Sequence, residues 1–245
     1  MSEARPISIA VKGVCKAFGT NLALDHVSLD FSAGRMHGVI GPEGAGKTTL
    51  MRVILGLLKA REGTVEFEMD GEPVAFESIR PSLAYMPQSQ SLYPDLSIGE
   101  HLDFFKELYG ISEELYAERK KELLQITRLG EFIERPAGKL SGGMYKKLGL
   151  MCALLRSPRV LFLDEPTNGV DPISRREFWE LLYRLADQQI LIVVTTSYMD
   201  EAERCSHVHL MEKGKLMTSG DPKQLLASAG VHSFDELFLL KAGGE

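Results

Sequence analysis

The segment Gly41-Pro42-Glu43-Gly44-Ala45-Gly46-Lys47-Thr48 constrains this chain more than any other. It fits the pattern G-x-x-x-x-G-K-[ST] in full and is followed by Thr49. Glycines at these positions let backbone N–H groups close around phosphates, Lys47 reaches the β- and γ-phosphates, and Thr48 holds Mg2+. Such a loop needs a strand before it and a helix after it. Met36 to Ile40 is a run leading straight into Gly41. Leu50, Val53, Ile54, Leu57 and Leu58 follow with i, i+3, i+4, i+7, i+8 spacing, which predicts a helix lasting almost to the turn at Gly63.

The rest of the chain alternates between the two periodicities. Ile7, Ile9 and Val11, then Val27, Leu29 and Phe31, recur at period two and predict strands, with further short strands at residues 64–68 and 83–86. From about residue 88 to 158 helix formers take over. Ser97-Ile98-Gly99-Glu100 is a capping-box pattern before Leu102, Phe105 and Leu108, with Gly110 closing that helix and Ser112 opening another. Residues 160–163 and 190–194 are all-apolar strands covered on both faces. Between them Asp171-Pro172 starts a helix with Phe178, Leu181, Leu182 and Leu185 on one face. The expected fold is therefore α/β, with a helical lobe inserted into the core. After Gln224, the residues Phe234, Leu237 and Phe238 predict one short amphipathic helix.

Two further places carry chemistry. The strand at 160–163 ends in Asp164-Glu165, where Asp164 can position Mg2+ and Glu165 can polarise an attacking water as general base. Leu140-Ser141-Gly142-Gly143-Met144 opens a helix bearing Leu148, Met151, Cys152 and Leu155, so Ser141 and the amides of Gly142 and Gly143 lie where a helix N-terminus attracts an anion. His207 and His209 share one face of a strand, but no Cys, Asp or Glu at suitable spacing completes a metal site there, which favours solvated or core histidines.

Composition narrows the class. With 28 Lys+Arg against 34 Asp+Glu and a net charge of −6, no nucleic-acid partner is expected. No apolar stretch approaches the roughly 20 residues of a spanning helix. The N-terminus has no apolar signal core, and Cys15, Cys152 and Cys205 form neither a disulfide framework nor a metal-ligand spacing, so a reducing cytosol is the expected compartment.

In order and spacing, the phosphate loop, the Leu-Ser-Gly-Gly segment and the strand ending in Asp164-Glu165 resemble the ATP-binding subunits of ABC transporters, from about Ile7 to Gln224. The resemblance implies a P-loop NTPase core (RecA-like sheet plus antiparallel β subdomain) at 1–87 and 159–225, a helical subdomain at 88–158, and a tail at 226–245. By the same resemblance Phe18 stacks on adenine, Gln88 touches Mg2+ and the γ-phosphate, and Asp171 lines a dimer interface. ATP is held head-to-tail between the phosphate loop of one subunit and Ser141, Gly142 and Gly143 of a second ATP-binding subunit. The stretch from Ser91 to Ser97 resembles subunits serving drug, lipid or polysaccharide exporters, which energise a separate transmembrane permease and are peripheral on the cytoplasmic membrane face.

The chain departs from the family pattern twice. Met144 replaces a Gln, leaving the neighbouring serine and amides intact. Ser197 stands where the family's switch histidine contacts the γ-phosphate, which implies either weakened hydrolysis at this chain's own site or a degenerate half of a heterodimer. Ser197 followed by Asp200 also reads as the cap of a short helix.

Overall fold

The computed structural model describes residues 6–89 and 92–242. Residues 1–5, with the N-terminal expectation attached to them, and Ser91 of the exporter-like stretch lie outside the described residues.

Two sheets carry the strands. The first is antiparallel, in the order β2-β1-β4-β5, built from β1 (Ile7–Phe18), β2 (Asn21–Phe31), β4 (Glu62–Met69) and β5 (Glu72–Val74). The second has the order β10-β9-β3-β8-β7-β6. Its members are β3 (Met36–Ile40), β6 (Leu83–Met86), β7 (Val160–Asp164), β8 (Leu191–Thr196), β9 (His207–Glu212) and β10 (Lys215–Gly220). All its pairs are parallel except β9 with β10. Every residue of β3, β7 and β8 is buried, as their lack of polar alternation requires.

Helix α1 (Lys47–Ile54) follows β3 and packs Leu50, Met51, Val53 and Ile54 into the layer between the two sheets. It is shorter than the apolar spacing predicts. Gly56 takes a φ of +66° beneath the Phe76 ring, the chain leaves the helix, and Leu57 ends up 59% exposed. A left-handed glycine ends helices because it lets the chain turn away without a Cβ clash. The short helix α2 (Phe76–Ile79) and β5 had no counterpart in the sequence reading.

Between β6 and β7 come α3 (Ile98–Tyr109), α4 (Glu113–Thr127) and α5 (Gly142–Leu154). The capping box forms as predicted: Ser97 Oγ accepts from the Glu100 N–H at 3.2 Å, and Glu100 Oε2 accepts from the Ser97 N–H at 2.7 Å. Gly110 closes α3 in the left-handed conformation, and Ser112 caps α4. Leu102 is buried, whereas Leu108 points outward. These helices share one apolar core with the near face of the parallel sheet and with α6 (Pro172–Ala186).

At the C-terminal end, α7 (Pro222–Ala229) straddles the expected boundary at 225, and α8 (Phe234–Ala242) follows. Phe234 and Leu237 of α8 are buried against the core of the helical side. No helix among the described residues is long and apolar enough to cross a membrane.

The histidines of β9 do share a face, and that face is packed. His37 Nδ1 of β3 lies 3.2 Å from His209 Nε2, and Ser219 Oγ is 2.9 Å from both His209 Nδ1 and His207 Nε2. His37 and His209 are buried against the edge of Phe31. Burial pushes His37 from the ordinary 6.5 down to about 4, helped by repulsion from His207 and Arg35, and lowers His209 well below its ordinary value. The unfolded chain therefore takes up protons in a range where the folded chain refuses them. Stability is expected to be full above about pH 6.5 and to fall as pH drops toward 4. The loss should be a few kcal/mol, since each tenfold change in proton affinity is worth about 1.4 kcal/mol. Urea unfolding at a series of pH values checks this, and His37→Gln should flatten the slope.

Candidate functional site

The phosphate-loop sequence forms a turn at the C-terminal end of β3, and its glycines explain why. A Cβ on Gly41 would stand 2.2 Å from the Met211 carbonyl oxygen, and one on Gly46, at φ +101°, 2.6 Å from that of Ala23. Gly46 offers α1 no side-chain cap, so the first helical N–H groups are left to meet an anion.

An open cleft of about 630 Å³ lies over this turn. It is lined by Glu43 to Thr49, Asn21 to Ala23, Phe18, Gln88, Glu165 and Lys213. Gly41 and Pro42 are not among the lining residues, and their carbonyls accept from the lysine. Phe18 is 49% exposed at the mouth, with Lys16 Nζ 5.2 Å from its ring centroid.

The Lys47 ammonium is buried and fully engaged. It donates to Gly41 O at 2.8 Å, Pro42 O at 3.0 Å and Ser197 Oγ at 3.0 Å, and pairs with Glu165 Oε1 at 3.1 Å. Ser197 in turn donates to Glu165 Oε1 at 2.8 Å. The other carboxylate oxygen accepts from Gln88 Nε2 and Asn168 Nδ2, each at 3.2 Å. Ser197 is therefore not a helix cap: the following 3-10 segment Met199–Arg204 has no side-chain cap, and the Ser197 hydroxyl joins lysine to glutamate instead.

Asp164 lies one residue earlier, at the tip of β7. Its Oδ1 accepts from Thr48 Oγ1 at 2.9 Å and Thr195 Oγ1 at 2.7 Å, and its Oδ2 from the Tyr85 hydroxyl at 3.2 Å. The carboxylate raises the Tyr85 pKa, after the larger effect of burial. Glu165 then takes a left-handed φ of +45°, unusual for a side-chain-bearing residue, and its N–H bonds Thr195 Oγ1 at 2.9 Å and Thr195 O at 3.1 Å. That kink turns the glutamate back toward Lys47. Thr48 and Asp164 offer hard oxygen donors side by side, a set that fits Mg2+.

The remaining residues singled out from the sequence lie elsewhere in the chain. Ser141 caps α5 by accepting from the Met144 N–H at 3.3 Å, and Asp171 caps α6 through the N–H groups of Ile173 and Ser174 at 3.1 and 3.0 Å. Gly143 is pressed against Ser174, where a Cβ would come within 2.5 Å. Ser141, Gly142, Gly143 and Asp171 thus form a second cluster outside the cleft over the phosphate loop. Behind it the buried Glu201 carboxylate accepts from Thr167 Oγ1 and Trp179 Nε1, both at 2.9 Å, and pairs with Arg175 at 3.1 Å.

Comparison with known proteins decides the family. The model of the ABC transporter family matches residues 24–168. The chain belongs to the ABC transporter family as an ATP-binding domain. It is 46% identical over 203 residues to the probable multidrug ABC transporter ATP-binding protein YbhF of Escherichia coli, covering 82% of this chain and 35% of that protein. The chain thus spans about a third of that relative's length. It is 36% identical over 223 residues to the Nod factor export ATP-binding protein I of Cupriavidus metallidurans, covering 90% of this chain and 73% of that one. The solved structure of an ATP binding subunit of an ABC transporter superposes with a TM-score of 0.82 at 28% identity, covering 96% of this chain and 99% of that one. The P-loop NTPase fold implied by the sequence resemblance is the fold found.

In this ATP-binding domain the sequence reading missed Tyr85, Asn168 and Thr195, the partners that hold Asp164 and Glu165. Thr195 had a signal, being a polar residue at the end of an apolar strand. Its hydroxyl bridges both acidic residues, so Thr195→Val, nearly equal in shape, should cost about 1–3 kcal/mol in urea unfolding. It should also weaken Mg2+-nucleotide binding, measured by calorimetry.

Proposed function

We propose that this chain is the ATP-hydrolysing subunit of an exporter, driving a separate transmembrane permease from the cytoplasmic face as one of two ATP-binding subunits. The observation that carries this reading is Glu165, held at the cleft floor against Lys47 and next to the Thr48–Asp164 pair. The names of the multidrug and Nod factor export relatives support export.

On this reading the core comprises 1–87 and 159–225, the helical subdomain 88–158 and the tail 226–245. Phe18 stacks on the adenine at the mouth, while the loop from Gly41 to Thr49 wraps the phosphates, its N–H donors coming from the residues after Pro42. The β- and γ-phosphate oxygens take over the Lys47 ammonium from Glu165 and Ser197. Released from its lysine, Glu165 accepts a proton from the attacking water, with Gln88 holding its second oxygen. Thr48, Asp164 and Gln88 would hold Mg2+, which would supply charge neutralisation on the phosphates. Ser141, Gly142 and Gly143 serve the nucleotide of the second subunit, with Asp171 at the shared interface. Their separation from this chain's own cleft supports that role.

Ser197 favours a second reading alongside the first. Its hydroxyl already bonds Glu165 at 2.8 Å, but a serine is shorter than the imidazole that the family pattern places there. The chain is then a degenerate ATP-binding clamp, or the regulatory half of a heterodimer.

Steady-state ATPase of the wild type, Glu165→Gln and Ser197→His separates the readings. Loss of the general base should lower turnover by at least about 100-fold. Wild-type turnover well above Glu165→Gln, with little gain from Ser197→His, marks a self-sufficient homodimer. Turnover near that background, restored by Ser197→His, marks the heterodimer half. If all three proteins hydrolyse alike, Glu165 is not the base and the proposal fails.

A further inference from the structure

The three cysteines have no metal-ligand spacing in the sequence, but the antiparallel sheet brings one of them into a ligand set. Val14 of β1 pairs with Val27 of β2, and Lys16 pairs with Leu24. Cys15 therefore faces two residues of β2, Asp25 and His26, which is a β-bulge. On its other side Cys15 pairs with Glu62 of β4. The bulge sets His26 at a left-handed φ of +50°, a conformation that a side-chain-bearing residue adopts at a cost. One ligand atom from each of Cys15, His26 and Glu62 lies within 4.8 Å of the others, and His26 Nε2 is 4.0 Å from Glu62 Oε2.

We propose that Cys15, His26 and Glu62 form a site for a thiophilic divalent cation, Zn2+ by preference, separate from the Mg2+-nucleotide cleft. The donor set is thiolate, imidazole and carboxylate, which selects Zn2+ over Mg2+ and leaves a fourth, open position for water. Independent support comes from Asp25, whose Oδ1 is 2.7 Å from His26 Nδ1. A carboxylate on the far nitrogen fixes the imidazole with Nε2 free to ligate, the arrangement that metal-bound histidines use. Asp25 is itself anchored, its N–H bonding Gly214 O at 2.8 Å and its Oδ2 lying 3.5 Å from Lys215 Nζ. Glu62 also lies 3.5 Å from Arg61.

The distances need only modest closing. Tetrahedral bonds of about 2.0–2.3 Å hold ligand atoms roughly 3.4 Å apart. Cys15 is buried and fixed, its Sγ accepting the His26 N–H at 3.2 Å, while the exposed His26 and Glu62 side chains can swing onto the ion. A bound ion would staple β1, β2 and β4 together at the bulge. Ala23, two residues before Asp25, lines the nucleotide cleft, so the staple fixes one wall of it.

The test is a Co2+ titration of the full, nucleotide-free chain, followed by absorption spectroscopy. One equivalent of Co2+ should give a thiolate-to-cobalt charge-transfer band with tetrahedral visible bands, and Zn2+ should displace both. Cys15→Ser should abolish the charge-transfer band. His26→Ala and Glu62→Gln alter exposed side chains, and each should weaken Co2+ binding. Asp25→Asn should raise the dissociation constant about 10–100-fold. No charge-transfer band, a band that survives in Cys15→Ser, or Co2+ affinity unchanged in both His26→Ala and Glu62→Gln overturns the proposal. Cobalt bound without thiolate character, as at the His37–His207–His209 cluster, overturns it too. None of these readouts involves ATP turnover, so the result stands apart from the proposed hydrolase.

Discussion

A lysine ammonium buried at the end of a strand dictates much of what surrounds it. Lys47 is only 4% exposed, and a cation there is tolerated only if oxygens replace its lost water. Gly41 and Pro42 give carbonyls, Ser197 a hydroxyl and Glu165 a carboxylate. These lie just past the ends of β3, β8 and β7, which are neighbours in the parallel sheet, so the order of the strands and the solvation of one charge are the same fact. In the proposed function, phosphate oxygens replace protein members of this coordination shell.

The second acidic group depends on the same sheet in a different way. Asp164 is completely buried, and the hydroxyls of Thr48, Thr195 and Tyr85 satisfy it. Each comes from a different element: α1, β8 and β6 respectively. Thr195 also holds the amide of Glu165, which keeps the left-handed kink there in place. One uncharged threonine thus holds the Asp164 carboxylate and the Glu165 backbone together.

What the sequence made legible was local. The phosphate loop, the Ser97 capping box, the Asp171 cap and the start of α5 after Ser141 are set by residues within a few positions of each other, and each appears where the spacing puts it. The misreadings came from distant contacts. Leu57 and Leu58 kept helical spacing, but Gly56 beneath Phe76 ended α1 first. Ser197 had the sequence of a helix cap, yet Lys47 at the start of α1 and Glu165 just past β7 claimed its hydroxyl. The Tyr85 and Thr195 partners of Asp164, and the pairing of Cys15 with Glu62 across a bulge, depend on sheet register, which no short window of residues contains.

The Glu201 carboxylate gives the chain an optical handle. Trp179 is the only tryptophan in the sequence, and its indole N–H is bonded to Glu201. The same carboxylate holds Thr167, two residues beyond Glu165, and it is also bridged by Arg175, whose guanidinium lies 4.2 Å from the Tyr198 ring beside Ser197. The indole is buried, so its emission reports the polarity and hydrogen bonding of that single place. A rearrangement of Glu165 or Ser197 that shifts Thr167 or Tyr198 is carried to Glu201 and alters the indole's hydrogen bond. The molecule therefore carries its own fluorophore, wired to both sides of its acidic residue and needing no label.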